Sequence, residues 1–74
     1  MSPRLRGLKA RAVIKAFERA GGARRGGKGD HVNIKMPNGM IGTFKAVGEV
    51  KIGLLNKMIK RAGLSEKEFL EHLE

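Results

Sequence analysis

In the stretch GGKGDHVNIK, residues 26 to 35, His31 follows a basic, glycine-rich run and opens a segment in which apolar and polar residues alternate. Imidazole titrates near neutral pH, so a histidine facing solvent can take a proton from a hydroxyl or return one to a leaving oxygen. One imidazole does only half of such a reaction, and charge developing on a phosphate needs cations placed nearby. Arg24, Arg25, Lys28, Lys35 and Lys45 are the candidates. Gly26, Gly27 and Gly29 would let a phosphate approach backbone amides in the same run. The plain alternatives are a solvated strand histidine, a merely basic surface and flexible loop glycines. GGKG lacks the spacing and the following Lys-Ser/Thr of a nucleotide-binding phosphate loop.

No metal and no cofactor is expected. There is no cysteine, the second histidine (His72) is far away in an acidic C-terminal segment, and carboxylates are few; the usual three or four ligands are not supplied. His72 reads as a bystander.

The charge balance points to a polyanion. Sixteen Lys and Arg against seven Asp and Glu give a net charge of +9 over 74 residues, and a chain this basic is suited to phosphate-bearing partners. The charge is uneven: residues 1–35 carry +8, residues 36–63 carry +4 and residues 64–74 carry −3. With no Trp or Tyr and three Phe, stacking of bases on aromatic side chains is disfavoured, and backbone and shape contacts are the more plausible mode. The length suits one small domain spanning 1–74. The absence of cysteine fits a reducing, cytoplasmic setting, and no apolar run of about 20 residues is available to cross a membrane.

The elements that must position His31 follow from periodicity. Ala10, Val13, Ile14, Phe17 and Ala20 recur at helical spacing within residues 9–20, and Gly21 and Gly22 stop that helix. Ser2 and Pro3 are a candidate N-cap and first position, although Gly7 leaves residues 1–8 as a possible loose basic arm. Residues 23–28 read as a short edge strand. Val32, Ile34 and Met36 alternate with His31, Asn33 and Lys35, the period of a half-buried strand, and residues 40–47 form the returning strand.

Register fixes the turn, since a slip of one residue sends every side chain to the other face. A three-residue Pro37-Asn38-Gly39 loop sets Val32 across from Phe44, Ile34 from Gly42 and Met36 from Met40, keeping one face apolar. His31 then lies opposite Lys45, Asn33 opposite Thr43 and Lys35 opposite Ile41 on the other face. After Gly48 and Gly53, Leu55, Met58, Ile59 and Ala62 line a second helix ending at Gly63. Ser65 and Glu68 then form a capping box, and Leu64 with Phe69 a hydrophobic staple, for a short third helix running to about residue 73. The fold class is α+β: a two-layer α-β-β-β-α arrangement with a three-stranded antiparallel sheet and a short C-terminal helix, both main helices on the apolar sheet face and His31 on the other.

Taken in order, GG at 21–22, GDH at 29–31, PNG at 37–39 and KIGLLNKMIKRAGLSEKEF at 51–69 resemble the HicA family, small toxin mRNA interferases on a double-stranded-RNA-binding-like fold. The resemblance spans about residues 9–70. It implies a metal-independent endoribonuclease acting on mRNA, with His31 as its proton-transfer group, and a HicB-like antitoxin protein as partner. The sequence departs from the family pattern at Asp30 for serine, Ala23 for a large residue, Leu54 for threonine, and the lack of a proline after the third strand. A carboxylate at Asp30 would repel an incoming phosphate. Two other readings stay open: a non-catalytic module binding double-stranded nucleic acid, and a degenerate toxin that keeps only antitoxin binding.

Overall fold

The structure, a computed structural model, describes residues 5–73. Its elements run α1 (Ala10–Arg19), β1 (Ala23–Arg25), β2 (His31–Lys35), β3 (Ile41–Lys45), α2 (Ile52–Arg61) and α3 (Glu66–His72). The strands form one antiparallel sheet in the order β1-β2-β3, with β2 in the middle. This is the expected α+β architecture. The strands are shorter than their sequence patterns suggested: the glycines after Arg25 leave the ladder, and β3 ends at Lys45 before the turn that leads to α2.

The β2–β3 register is the expected one: His31 faces Lys45, Val32 faces Phe44, Asn33 faces Thr43, Ile34 faces Gly42 and Lys35 faces Ile41. The hairpin turn shows why. Gly39 N–H donates to Met36 O at 2.9 Å, Met36 N–H donates to Met40 O at 2.8 Å, and Gly39 takes φ +91°. That left-handed position is cheap only for glycine. Asn38 adds two bonds of its own, accepting from Met40 N–H at 3.0 Å and donating to Arg61 O at 2.8 Å. The hairpin tip is thereby tied to the end of α2.

Both main helices end in the same way. Gly22 N–H donates to Phe17 O and Gly21 N–H to Glu18 O; Leu64 N–H donates to Ile59 O and Gly63 N–H to Lys60 O. With Gly21 at φ +104° and Gly63 at +77°, each is a Schellman closure that satisfies the last carbonyls of its helix. Gly22 has a second duty. A Cβ there would lie 2.7 Å from Ile34 Cγ2 and 2.8 Å from both Met36 Sδ and Phe17 O, so only glycine lets the chain leave α1 against the sheet. Gly53 lies inside α2, in its first turn, instead of before it; its exposed position leaves the helix unopposed.

The core lies between the helices and the inner sheet face. Phe17 of α1 stands at its centre, 6.4 Å from the ring of Phe44 on β3 and 5.0 Å from that of Phe69 on α3, tilted at 50° and 53°. Ile34, Met36, Leu55, Met58 and Ile59 are buried around it, and Met40 packs against it from the rim. Ser65 caps α3 through a complete capping box with Glu68: Glu68 N–H donates to Ser65 Oγ at 3.1 Å and Ser65 N–H to Glu68 Oε1 at 3.0 Å. That cap holds Phe69 in place.

One expectation is corrected at the N-terminus. Leu5 is fully buried in the core and Leu8 packs against it, so residues 5–8 are not a loose arm. Val50 N–H donates to Leu8 O at 2.9 Å, Lys9 pairs with Glu49 as an antiparallel bridge, and Ala10 N–H donates to Gly48 O at 2.8 Å. The last bond supplies a partner for a first-turn amide of α1, whose N-cap Lys9 offers no side-chain acceptor. Ser2 and Pro3 lie outside the described residues.

Candidate functional site

The face of the sheet opposite the helices is open. His31, Lys35, Ile41, Thr43 and Lys45 are exposed there and Asn33 is half-buried. His31 starts the central strand directly across from Lys45 on β3. Residues directly opposite in an antiparallel ladder share a face, so Lys45, Asn33, Thr43 and Lys35 stand with His31 as the alternation required.

β1 divides the expected cations. Arg25 pairs with Asn33 and so belongs to the open face; Arg24 pairs with Ile34, whose side chain is in the core, and so belongs to the helix side. There the Arg24 guanidinium lies 3.9 Å from the Glu18 carboxylate of α1. The structure therefore brings Arg25, Lys35 and Lys45 onto the face of His31 and sets Arg24 apart.

The glycine loop is held by the face it borders. Thr43 Oγ1 donates to Asn33 Oδ1 at 2.6 Å, and Asn33 Nδ2 donates in turn to Gly26 O at 2.8 Å. Gly27 packs so closely on the backbone of His31 that a Cβ would overlap the His31 carbonyl oxygen and lie 2.8 Å from its carbonyl carbon. His31 N–H donates to Lys28 O at 3.0 Å, and Asp30 O accepts from Ala46 N–H at 2.6 Å. Gly26 and Gly29 have open space around the Cβ position, and Gly29 takes φ +57°. The loop is thus fastened at both ends, with Lys28 exposed at its crest.

Beside His31 a groove of about 280 Å³ is lined by Thr43, Lys45, Glu49, Lys51 and Leu54 together with the histidine itself. It runs across the β3 edge to the start of α2. Lys51, missed by the reading of local pattern, is placed here by the chain's turn into α2. The one available signal was its position at the head of KIGLLNKM. Leu54, 43% exposed, forms part of the wall. His72 is remote, with its backbone carbonyl accepting from Arg19 Nη1 at 3.0 Å. Among the described residues, no three His, Asp or Glu side chains gather in a group able to hold a metal, and no helix is long and apolar enough to cross a membrane.

Fold and face together define a small α-β-β-β-α-α protein that presents one histidine among cations on an open sheet. A family model described as HicA toxin of bacterial toxin-antitoxin matches residues 10–64, most of the chain, which therefore belongs to the HicA toxin family. The matched span takes in α1, the whole sheet and α2. As a member of that family the protein is the toxin of a toxin–antitoxin system. Neither the curated proteins nor the solved structures contain a match.

Proposed function

We propose that this toxin is a metal-independent endoribonuclease that cleaves mRNA, with His31 moving the proton. The observation that carries the reading is the exposed His31 at the head of the central strand, opposite Lys45 and in one groove with Lys51. RNA carries its own nucleophile. As the 2′-oxygen bonds to the adjacent phosphorus, its proton passes to the imidazole, and the bond from phosphorus to the 5′-oxygen breaks. The 5′-oxygen then takes a proton from the imidazolium or from water, leaving a cyclic phosphate on one fragment and a hydroxyl on the other. Lys45 and Lys51 flank the groove where negative charge grows on the phosphate, and Arg25, Lys28 and Lys35 extend the positive field over the open face.

The resident antitoxin, read as a HicB-like protein, would cover this same face. Ile41, 60% exposed beside Lys35, and Leu54 in the groove give apolar points of purchase within a basic surround. An acidic partner with apolar anchors complements that surface.

The test is incubation of the purified protein with a long single-stranded RNA in EDTA, alongside His31→Ala with folding verified by circular dichroism. Cleavage by the parent and none by the variant is the expected outcome. RNA bound but left intact by both would refute the enzyme reading and leave a binding module or a spent toxin.

A further inference from the structure

We propose that RNA is held by a backbone-tracking path that leaves the His31 groove, rounds the turn after β3 and continues along the outer stripe of α1. The proposal rests on RNA being the substrate. Three grooves follow one another along the chain: among the described residues the first two share no lining residue but are lined by consecutive residues of the turn after β3, and the second and third share Lys9 and Arg11. The first holds His31, Lys45 and Glu49. The second is lined by Lys9, Arg11 and residues Ala46, Val47 and Gly48, directly following Lys45. The third shares Lys9 and Arg11 and adds Ala12, Lys15, Arg19 and Leu73. The bonds from Ala10 to Gly48 and from Val50 to Leu8 lock the start of α1 to this turn, so the junction between the grooves is built into the fold.

The charges at the start of α1 work against the helix that bears them. Arg11 and Lys15 are four residues apart and both exposed, and like charges at that spacing destabilise a helix; Arg19, in the last turn, stands where the dipole favours a cation and donates to the His72 carbonyl. Lys9 and Arg11 stand at the N-terminal end, where the helix dipole disfavours cations, and no acidic residue occupies the first turn. Glu18, the one acid on α1, faces Arg24. Among the described residues lining the three grooves, Glu49 is the one acidic side chain. A feature that local stability opposes points to an external partner of opposite sign.

That partner is a phosphate backbone in preference to an acidic protein. Protein interfaces draw their affinity from buried aromatic or aliphatic anchors, and among the described residues the α1 groove offers Ala12 and Leu73 beside its four cations. Geometry adds a length requirement. The stripe Arg11–Lys15–Arg19 lies on the side of α1 away from the buried Val13, Ile14 and Phe17, and therefore away from the sheet and from His31. The shortest dimension of the fold is 20 Å, which a stacked strand crosses in about six nucleotides at roughly 3.4 Å each. Short RNA therefore cannot occupy both ends of the path.

The experiment measures binding of 2′-O-methylated RNA, which lacks the nucleophile and so reports binding apart from cleavage. Arg11→Ala/Lys15→Ala is compared with Lys57→Ala/Lys60→Ala, which removes the same charge from the exposed face of α2. For an RNA of about 30 nucleotides the α1 variant should bind roughly tenfold more weakly, with its salt slope reduced by about 1.4 for two lost phosphate contacts. With about four nucleotides it should match the parent, and the α2 variant should stay within about twofold at both lengths. Equal losses from the two variants, or no loss at the longer length, would overturn the path while leaving the His31 reading intact. An α1 variant that keeps RNA but loses poly-glutamate would assign the stripe to a protein partner and overturn it too. Binding with this pattern but no cleavage of ordinary RNA would sustain the path and remove the enzyme reading.

Discussion

Gly27→Ala is the sharpest perturbation the site offers, because it adds one methyl group beside His31 and removes nothing. The new carbon would lie 2.8 Å from the His31 carbonyl carbon and overlap its oxygen. An unstrained carbon–carbon contact needs roughly 3.5–4.0 Å, so the loop must withdraw by about 1 Å. Both atoms met are backbone of the central strand, which cannot swing aside as a side chain can. The loop yields instead, and the bond from Asn33 Nδ2 to Gly26 O is the first to stretch. Losing one such exposed bond together with the strain costs about 1–2 kcal/mol of stability. The kinetic effect should be larger, since a misplacement of about 1 Å in a catalytic constellation can cost about 100-fold in rate. Urea denaturation and single-turnover cleavage of a defined RNA read the two effects separately. Gly26→Ala is the matched control, as nothing lies within 4 Å of its Cβ position. If Gly27→Ala and Gly26→Ala behave alike in both assays, the packing of the loop on His31 has no hold on the chemistry.

Other outcomes follow from the same geometry. Lys51→Ala should lower the single-turnover rate roughly 10- to 100-fold, as loss of a charge-stabilising group does, with thermal stability unchanged. Asp30→Ser removes a carboxylate next to His31 in sequence and should lower KM for RNA roughly fivefold, the effect of one nearby like charge in water; an unchanged KM would show that Asp30 does not oppose the substrate. Ser65→Ala should cost about 1 kcal/mol in urea denaturation through loss of the α3 cap. The Ser65 backbone N–H and then its hydroxyl hold the Glu68 carboxyl below the usual carboxylate range. A depressed folded value adds stability above the unfolded pKa of about 4.3 and loses it as pH falls through the folded one. Acid titration of the parent should show that loss, and Ser65→Ala should lessen it.

The parts legible in the sequence were those fixed by local rules. The β2–β3 register followed from alternation and from one turn that only Pro37-Asn38-Gly39 satisfied, and it set Lys45 opposite His31 as observed. The α3 cap was written in Ser65 and Glu68. What escaped depends on contacts distant in sequence. Leu5 has no periodic partner before the helix, and Gly7 at φ +67° bends the chain that brings it into the core. Arg24 and Arg25 could not be assigned to faces, because the glycine loop between β1 and β2 leaves the pairing parity undetermined until Arg25 is seen across from Asn33. Gly53 reads as a breaker, yet a first-turn position makes it inexpensive. Lys51 comes to the histidine only because α2 starts beside the β3 edge.

The brevity of β1 bears on how this protein behaves in a crowd. It is an outer strand of three exposed residues, two of them arginine, succeeded by glycines that abandon the ladder. A longer, flatter rim of Val or Thr would present a row of unfilled amides and carbonyls as a template for a neighbouring molecule. Here a second copy approaching the rim meets like charge and finds too few places to zip. The β1 border can stay uncovered without serving as a template for a second copy, which leaves the five-residue β3 as the sheet's other outer strand.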